Sequence, residues 1–139
     1  MKSQSYYTIR ILYFMIFCTF AISQENAITF SLERQESKSI VNLQSTKKLP
    51  CRDYKFDTRD YQNADTIIII IRDFLAPTPC NGPRAVAEDK VTLTPPAKRF
   101  YLKFWYKGKY DKWRIFQHDT AYFVRPEGNS FSTYSELRQ

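Results

Sequence analysis

Hydrophobic alternation with a period of two runs through most of this chain. From Ala27 to Leu32, the residues Ile28, Phe30 and Leu32 alternate with small or polar neighbours, which predicts a half-buried strand. Ser39 to Leu43 predicts a second short strand. Tyr54, Phe56 and Thr58 alternate with charged residues and predict an edge strand. Thr66 to Leu75 contains five consecutive isoleucines, Ile67 to Ile71. Successive Cβ-branched residues disfavour a helix, and apolar side chains on both faces predict a central strand covered from both sides. Asp65, Arg72 and Asp73 flank that run with charges that oppose aggregation. Val91 to Leu93 reads as a short strand ended by Pro95 and Pro96. Arg99–Lys107 and Tyr110–Gln117 read as a hairpin, and Thr120–Arg125 as a last strand stopped by Pro126 and Gly128.

The intervening segments read as loops. Gln44 to Lys48 is polar and Pro50 marks a turn, while Ala76 to Arg84 carries three prolines and an Asn-Gly pair. Arg84 to Lys90 has room for one or two helical turns, and Asn129 to Gln139 is a polar tail expected to fray. Short strands separated by Pro-rich turns predict an all-β fold, a small antiparallel β-sandwich. An immunoglobulin-like topology is the leading arrangement, with a small open barrel as the alternative. The length of 139 residues fits one domain, placed at 24–128 between a leader (1–23) and the tail (129–139).

The hairpin carries the sharpest signal. Lys107-Gly108-Lys109-Tyr110 reads as a two-residue turn about Gly108 and Lys109, which pairs Phe104 with Trp113 and Lys103 with Arg114. One face then collects Phe100, Leu102, Phe104, Tyr106, Trp113 and Ile115, a core face. The other collects Tyr101, Lys103, Trp105, Lys107, Tyr110, Lys112, Arg114 and Phe116, alternating cations and aromatic rings with no acid among them. Like charges directly opposed on neighbouring strands are destabilising, so folding alone does not call for Lys103 opposite Arg114. A binding face offers a reason: rings present flat surfaces to sugars, and Lys and Arg neutralise sulfate, phosphate or carboxylate. A solvated face, with cationic stems lying over rings, is the plainer reading.

The N-terminal segment predicts a location outside the cell's reducing interior. Lys2 and Arg10 precede an apolar run from Ile11 to Ile22 that is shorter than the roughly 20 residues of a membrane span, and Ala21 and Ser23 are small. This predicts a signal peptide cut after Ser23 and a secreted or periplasmic protein. Removing Lys2 and Arg10 lowers the net charge from +7 to +5. Cys18 leaves with the leader, so Cys51 and Cys80 are expected to form a disulfide.

Catalytic patterns are sparse. His118 is the one histidine, and no Gly-x-Ser-x-Gly turn supplies a nucleophile for it. The same count argues against a zinc site, and no cofactor is expected. Asp57 with Asp60 and Glu88 with Asp89 are short-range carboxylate pairs of the kind that cap turns, which leaves a small secreted hydrolase as a remote reading. The sequence therefore predicts a secreted, non-catalytic binding protein. It would use Tyr101, Lys103, Trp105, Lys107, Tyr110, Lys112 and Arg114 to hold an anionic glycan, a lipid headgroup or an acidic protein surface. Nucleic acid is not expected as a natural partner of an exported protein, while self-association through the aromatic face is open. The alternative is a protein-interaction module, an inhibitor or adhesion subunit, built on the Pro-rich loop 76–84.

Overall fold

Nine strands form within residues 27–128 and 131–136, the part of the chain that the computed structural model describes. They are β1 (Ile28–Gln35), β2 (Lys38–Ser45), β3 (Lys55–Asn63), β4 (Thr66–Leu75), β5 (Glu88–Leu93), β6 (Arg99–Tyr106), β7 (Lys109–His118), β8 (Ala121–Pro126) and β9 (Ser132–Tyr134). One sheet has the order β5-β2-β1-β9 and the other β3-β4-β6-β7-β8. The expected leader, its cleavage at Ser23 and the departure of Cys18 lie outside the described residues.

The two sheets pack face to face, so the fold is a β-sandwich and not a closed barrel. Phe30 of the first sheet shows the packing: its ring centroid is 4.9 Å from that of Phe104 and 5.1 Å from that of Trp113, both from the second sheet. Ile28, Leu32, Val41 and Leu43 from one sheet meet Ile69, Leu102 and Ile115 from the other. Each such side chain contributes roughly 1.5–3 kcal/mol by leaving water.

The fold is the expected small β-sandwich, but its sheets are mixed rather than purely antiparallel. Each sheet contains one parallel pair, β4 beside β6 and β1 beside β9. After β4 the chain crosses to the other sheet as β5 and returns as β6, so two strands of one sheet run in the same direction. Arg84 to Lys90 is not helical: Ala85 bridges Leu49, and β5 begins at Glu88.

The isoleucine run is flanked by strands on both sides, as expected, but its two faces differ. Ile67, Ile69 and Ile71 enter the core, whereas Ile68 and Ile70 share the outward face with the cationic hairpin residues. Ile68 is only 9% exposed, so neighbouring side chains of its own sheet cover it rather than a second layer.

The tail also departs from expectation, because the domain continues past residue 128. Phe131 is buried and β9 pairs with β1. A buried carboxylate fixes this segment: Asp111 Oδ2 accepts from the Phe131 N–H at 3.0 Å, the Ser132 N–H at 2.7 Å and the Ser132 hydroxyl at 2.5 Å. The Trp113 indole N–H donates to the same Ser132 oxygen at 2.9 Å.

Cys51 and Cys80 are disulfide-bonded with Cα atoms 5.6 Å apart, tying the β2–β3 loop to the Pro-rich β4–β5 loop. Closing a loop with this sequence separation of 29 stabilises the fold by about 3–4 kcal/mol in the chain-entropy model.

Candidate functional site

The β6–β7 hairpin turns one residue earlier than the sequence suggests. Lys107 and Gly108 are the two turn residues, with φ of 48° and 76°, and Tyr106 pairs with Lys109. Two consecutive positive φ values are the type I′ pattern, which favours Gly at the second position. The partners therefore shift by two residues along the strand. Lys103 faces Lys112 rather than Arg114, Tyr101 faces Arg114, and Leu102 faces Trp113. A two-residue shift leaves every side chain on its expected face, since side chains alternate with period two.

Six of the seven expected residues lie on one outward face: Tyr101, Lys103 and Trp105 from β6, and Tyr110, Lys112 and Arg114 from β7. Lys107 sits at the turn tip, with its ammonium 5.2 Å from the Tyr106 ring centroid. The cations and rings interleave diagonally. Lys103 Nζ lies 4.0 Å from the Tyr110 centroid, and Lys112 Nζ lies 3.9 Å from that of Tyr101. The Trp105 and Tyr110 rings stand 5.7 Å apart at the hairpin end of the face.

The face is wider than the hairpin. The register places Tyr61, Ile68, Lys103 and Lys112 in one row, and Arg59, Ile70, Trp105 and Tyr110 in the next. A third row carries Asn63, Thr66, Tyr101, Arg114 and Arg125, and beyond it Arg99, Phe116 and Phe123 align. Tyr61 (49%), Trp105 (37%), Tyr110 (55%) and Phe123 (60%) are all exposed here, four of the five large hydrophobic residues that stand open to solvent among the described residues. Arg114 and Arg125 are directly opposed, a second like-charge pair beside Lys103 and Lys112.

One acid reaches this surface that the hairpin reading did not include. Glu127, just past β8, pairs with Arg114 and lies 3.7 Å from Lys112 Nζ. It follows Pro126 in sequence, and only the pairing of β8 with β7 brings it to the rim. Arg125 and Phe123 could have been found from the alternation of the last strand, whose other face carries Tyr122 and Val124. Tyr61 and the outward isoleucines could not, because β3 is polar on both faces around Tyr61 and β4 is apolar on both faces through the isoleucine run, so neither alternates.

The remaining candidates sit elsewhere. His118 and Asp119 form an exposed pair at the β7–β8 turn, with His118 Nδ1 3.2 Å from an Asp119 carboxylate oxygen. Asp57 pairs with Arg72 beside a β-bulge, and Glu88 accepts from the Gln44 amide at 3.1 Å. The loop 76–84 is held by the disulfide and by Arg84, which donates to the Lys48 carbonyl at 3.2 Å. Among the described residues, no three His, Cys, Asp or Glu side chains gather as a metal site. Comparison with known proteins adds no relative: no family model, no curated protein and no solved structure matches this chain.

Proposed function

We propose that this protein is a non-catalytic binding protein whose outward sheet face takes an extended polyanion, with an acidic glycan as the best-fitting class. One observation carries the reading. Two like-charge pairs, Lys103 with Lys112 and Arg114 with Arg125, are directly opposed in adjacent rows of a face that also exposes aromatic rings. Opposed cations weaken a sheet, and a bound anion would turn that repulsion into attraction. The neighbouring Trp105 and Tyr110 rings offer flat apolar surfaces of the kind a sugar ring covers, while the cations match sulfate or carboxylate substituents. Export through the expected leader would bring the face into contact with such glycans.

The test is retention of the disulfide-bonded protein on an immobilised sulfated polysaccharide across a salt gradient. It would be run beside Lys103→Glu/Arg125→Glu, since neither residue forms an ion pair with a described residue. Elution of the wild type well above physiological salt, with early elution of an equally stable variant, supports the reading. Early elution of both together sinks it, because binding by charge must weaken with screening and with loss of cations.

A further inference from the structure

At one end of the sandwich, residues of both sheets line a cleft of about 230 Å³ between the β1–β2 turn and the segment leading into β6. Its charge is one-sided. Arg34, Lys38 and Lys98 line it with Glu36 as the opposing acid, alongside Gln117 and Tyr122. Lys38 and Lys98 form no ion pair with a described residue. The Arg34 guanidinium is fixed by carbonyl groups: Nε donates to the Glu36 backbone oxygen at 3.2 Å, and Nη1 donates to that of Asp119. Carbonyls orient a guanidinium without cancelling its charge, so the cleft holds one positioned cation alongside Lys38 and Lys98. At its floor the Tyr122 hydroxyl pairs with that of Ser39. Ser39 is fully buried, so this hydrogen bond holds the Tyr122 hydroxyl in place beside the cleft.

We propose that this cleft is a discrete anion site for a tetrahedral oxyanion group, a phosphomonoester dianion or a singly charged sulfate ester, separate from the outward sheet face. The cleft is smaller than the roughly 300–1,000 Å³ of sites for drug-sized ligands, which suits a single headgroup. Its excess of two positive charges balances a phosphomonoester dianion and exceeds the single charge of a sulfate ester. Arg34 supplies oriented N–H groups, Lys38 and Lys98 supply charge, and Tyr122 places a hydroxyl among them.

The test is a titration of the isotope-labelled, disulfide-bonded protein at constant ionic strength, following backbone amide resonances. The probes are inorganic sulfate, inorganic phosphate, N-acetylglucosamine 6-sulfate and glycerol 3-phosphate. Local resonances are read rather than the melting temperature, because sulfate and phosphate stabilise folded proteins generally. The expected result is saturable shifts at Lys38, Lys98 and Gln117. Lys38→Gln/Lys98→Gln should weaken binding about tenfold or more, and Lys38→Arg/Lys98→Arg should retain it. Tighter saturation by the sulfated sugar assigns the group to a glycan, and tighter saturation by glycerol phosphate assigns it to a phosphomonoester. Lys103→Glu/Arg125→Glu must leave these shifts intact; their loss in that variant would overturn a separate site. Non-saturating shifts, or shifts unchanged by the Gln variant, would overturn the proposal outright.

Discussion

Lys103 and Lys112 are directly opposed on neighbouring strands, yet each ammonium lies over a tyrosine ring, Lys103 over Tyr110 at 4.0 Å and Lys112 over Tyr101 at 3.9 Å. The repulsion between them removes up to about 1 kcal/mol. A cation–π contact at an exposed site returns about 0.5–1 kcal/mol. The two effects nearly cancel. Lys103→Gln should therefore change the urea-unfolding free energy by less than about 0.5 kcal/mol. The same variant should shift polysaccharide elution to lower salt. A large loss of stability with unchanged elution would mean that the pair serves the fold.

Asp111 decides whether the last strand stays in place. Asp111→Ala leaves the Phe131 and Ser132 N–H groups without their carboxylate acceptor inside the sandwich. Each unpaired buried donor costs about 1–3 kcal/mol, so the variant should lose roughly 3 kcal/mol or more. Amide exchange at Phe131 and Ser132 should accelerate more than exchange in β4. Uniform acceleration across both sheets would show that β9 does not open separately.

Ala64 occupies the turn between β3 and β4 with φ of 52°. A left-handed conformation costs a residue with a Cβ about 1–2 kcal/mol. Glycine removes that strain but adds about 0.4–1 kcal/mol of unfolded-chain entropy. Ala64→Gly should thus raise stability by about 0.5–1 kcal/mol, read as a higher urea midpoint at unchanged slope.

The Tyr134 phenol is held above its ordinary value of 10.0, first by burial and second by the negative charge of Glu136. Its ring packs 5.4 Å from that of Phe30. In the unfolded chain the phenol ionises at its ordinary value, so above that pH the unfolded state releases a proton that the folded state keeps. Stability should be intact below about pH 10 and fall as pH rises through the folded value. Ultraviolet titration should show one late-ionising tyrosine that Tyr134→Phe removes. A variant with the same alkaline stability loss as the wild type would assign that loss to other groups.

The faces of the strands were legible because period-two alternation survives any even shift in register. Tyr101, Lys103, Trp105, Tyr110, Lys112 and Arg114 therefore fall on one surface even though their partners were assigned one pair too far along. What the sequence concealed depended on distant partners. Phe131 and Ser132 look like part of a polar tail until Asp111, 20 and 21 residues earlier, is placed beneath them. The parallel pairing of β4 with β6 requires a crossover through the other sheet, which no local pattern records. Glu127 sits next to Pro126 and resembles a loop charge, and only the β7–β8 register brings it to Arg114.

The first and last strands lie side by side, with the Ala27 and Ile28 N–H groups donating to the Phe131 carbonyl at 2.6 and 3.1 Å. This makes closure of the first sheet depend on a late-arriving segment. A nascent chain can form the β1–β2 and β3–β4 hairpins as they emerge. The edge of β1 and the carboxylate of Asp111 must then wait for residues 131–135 before they are satisfied. Until that moment the growing chain exposes an open strand edge beside Phe30, a site where another strand could intrude.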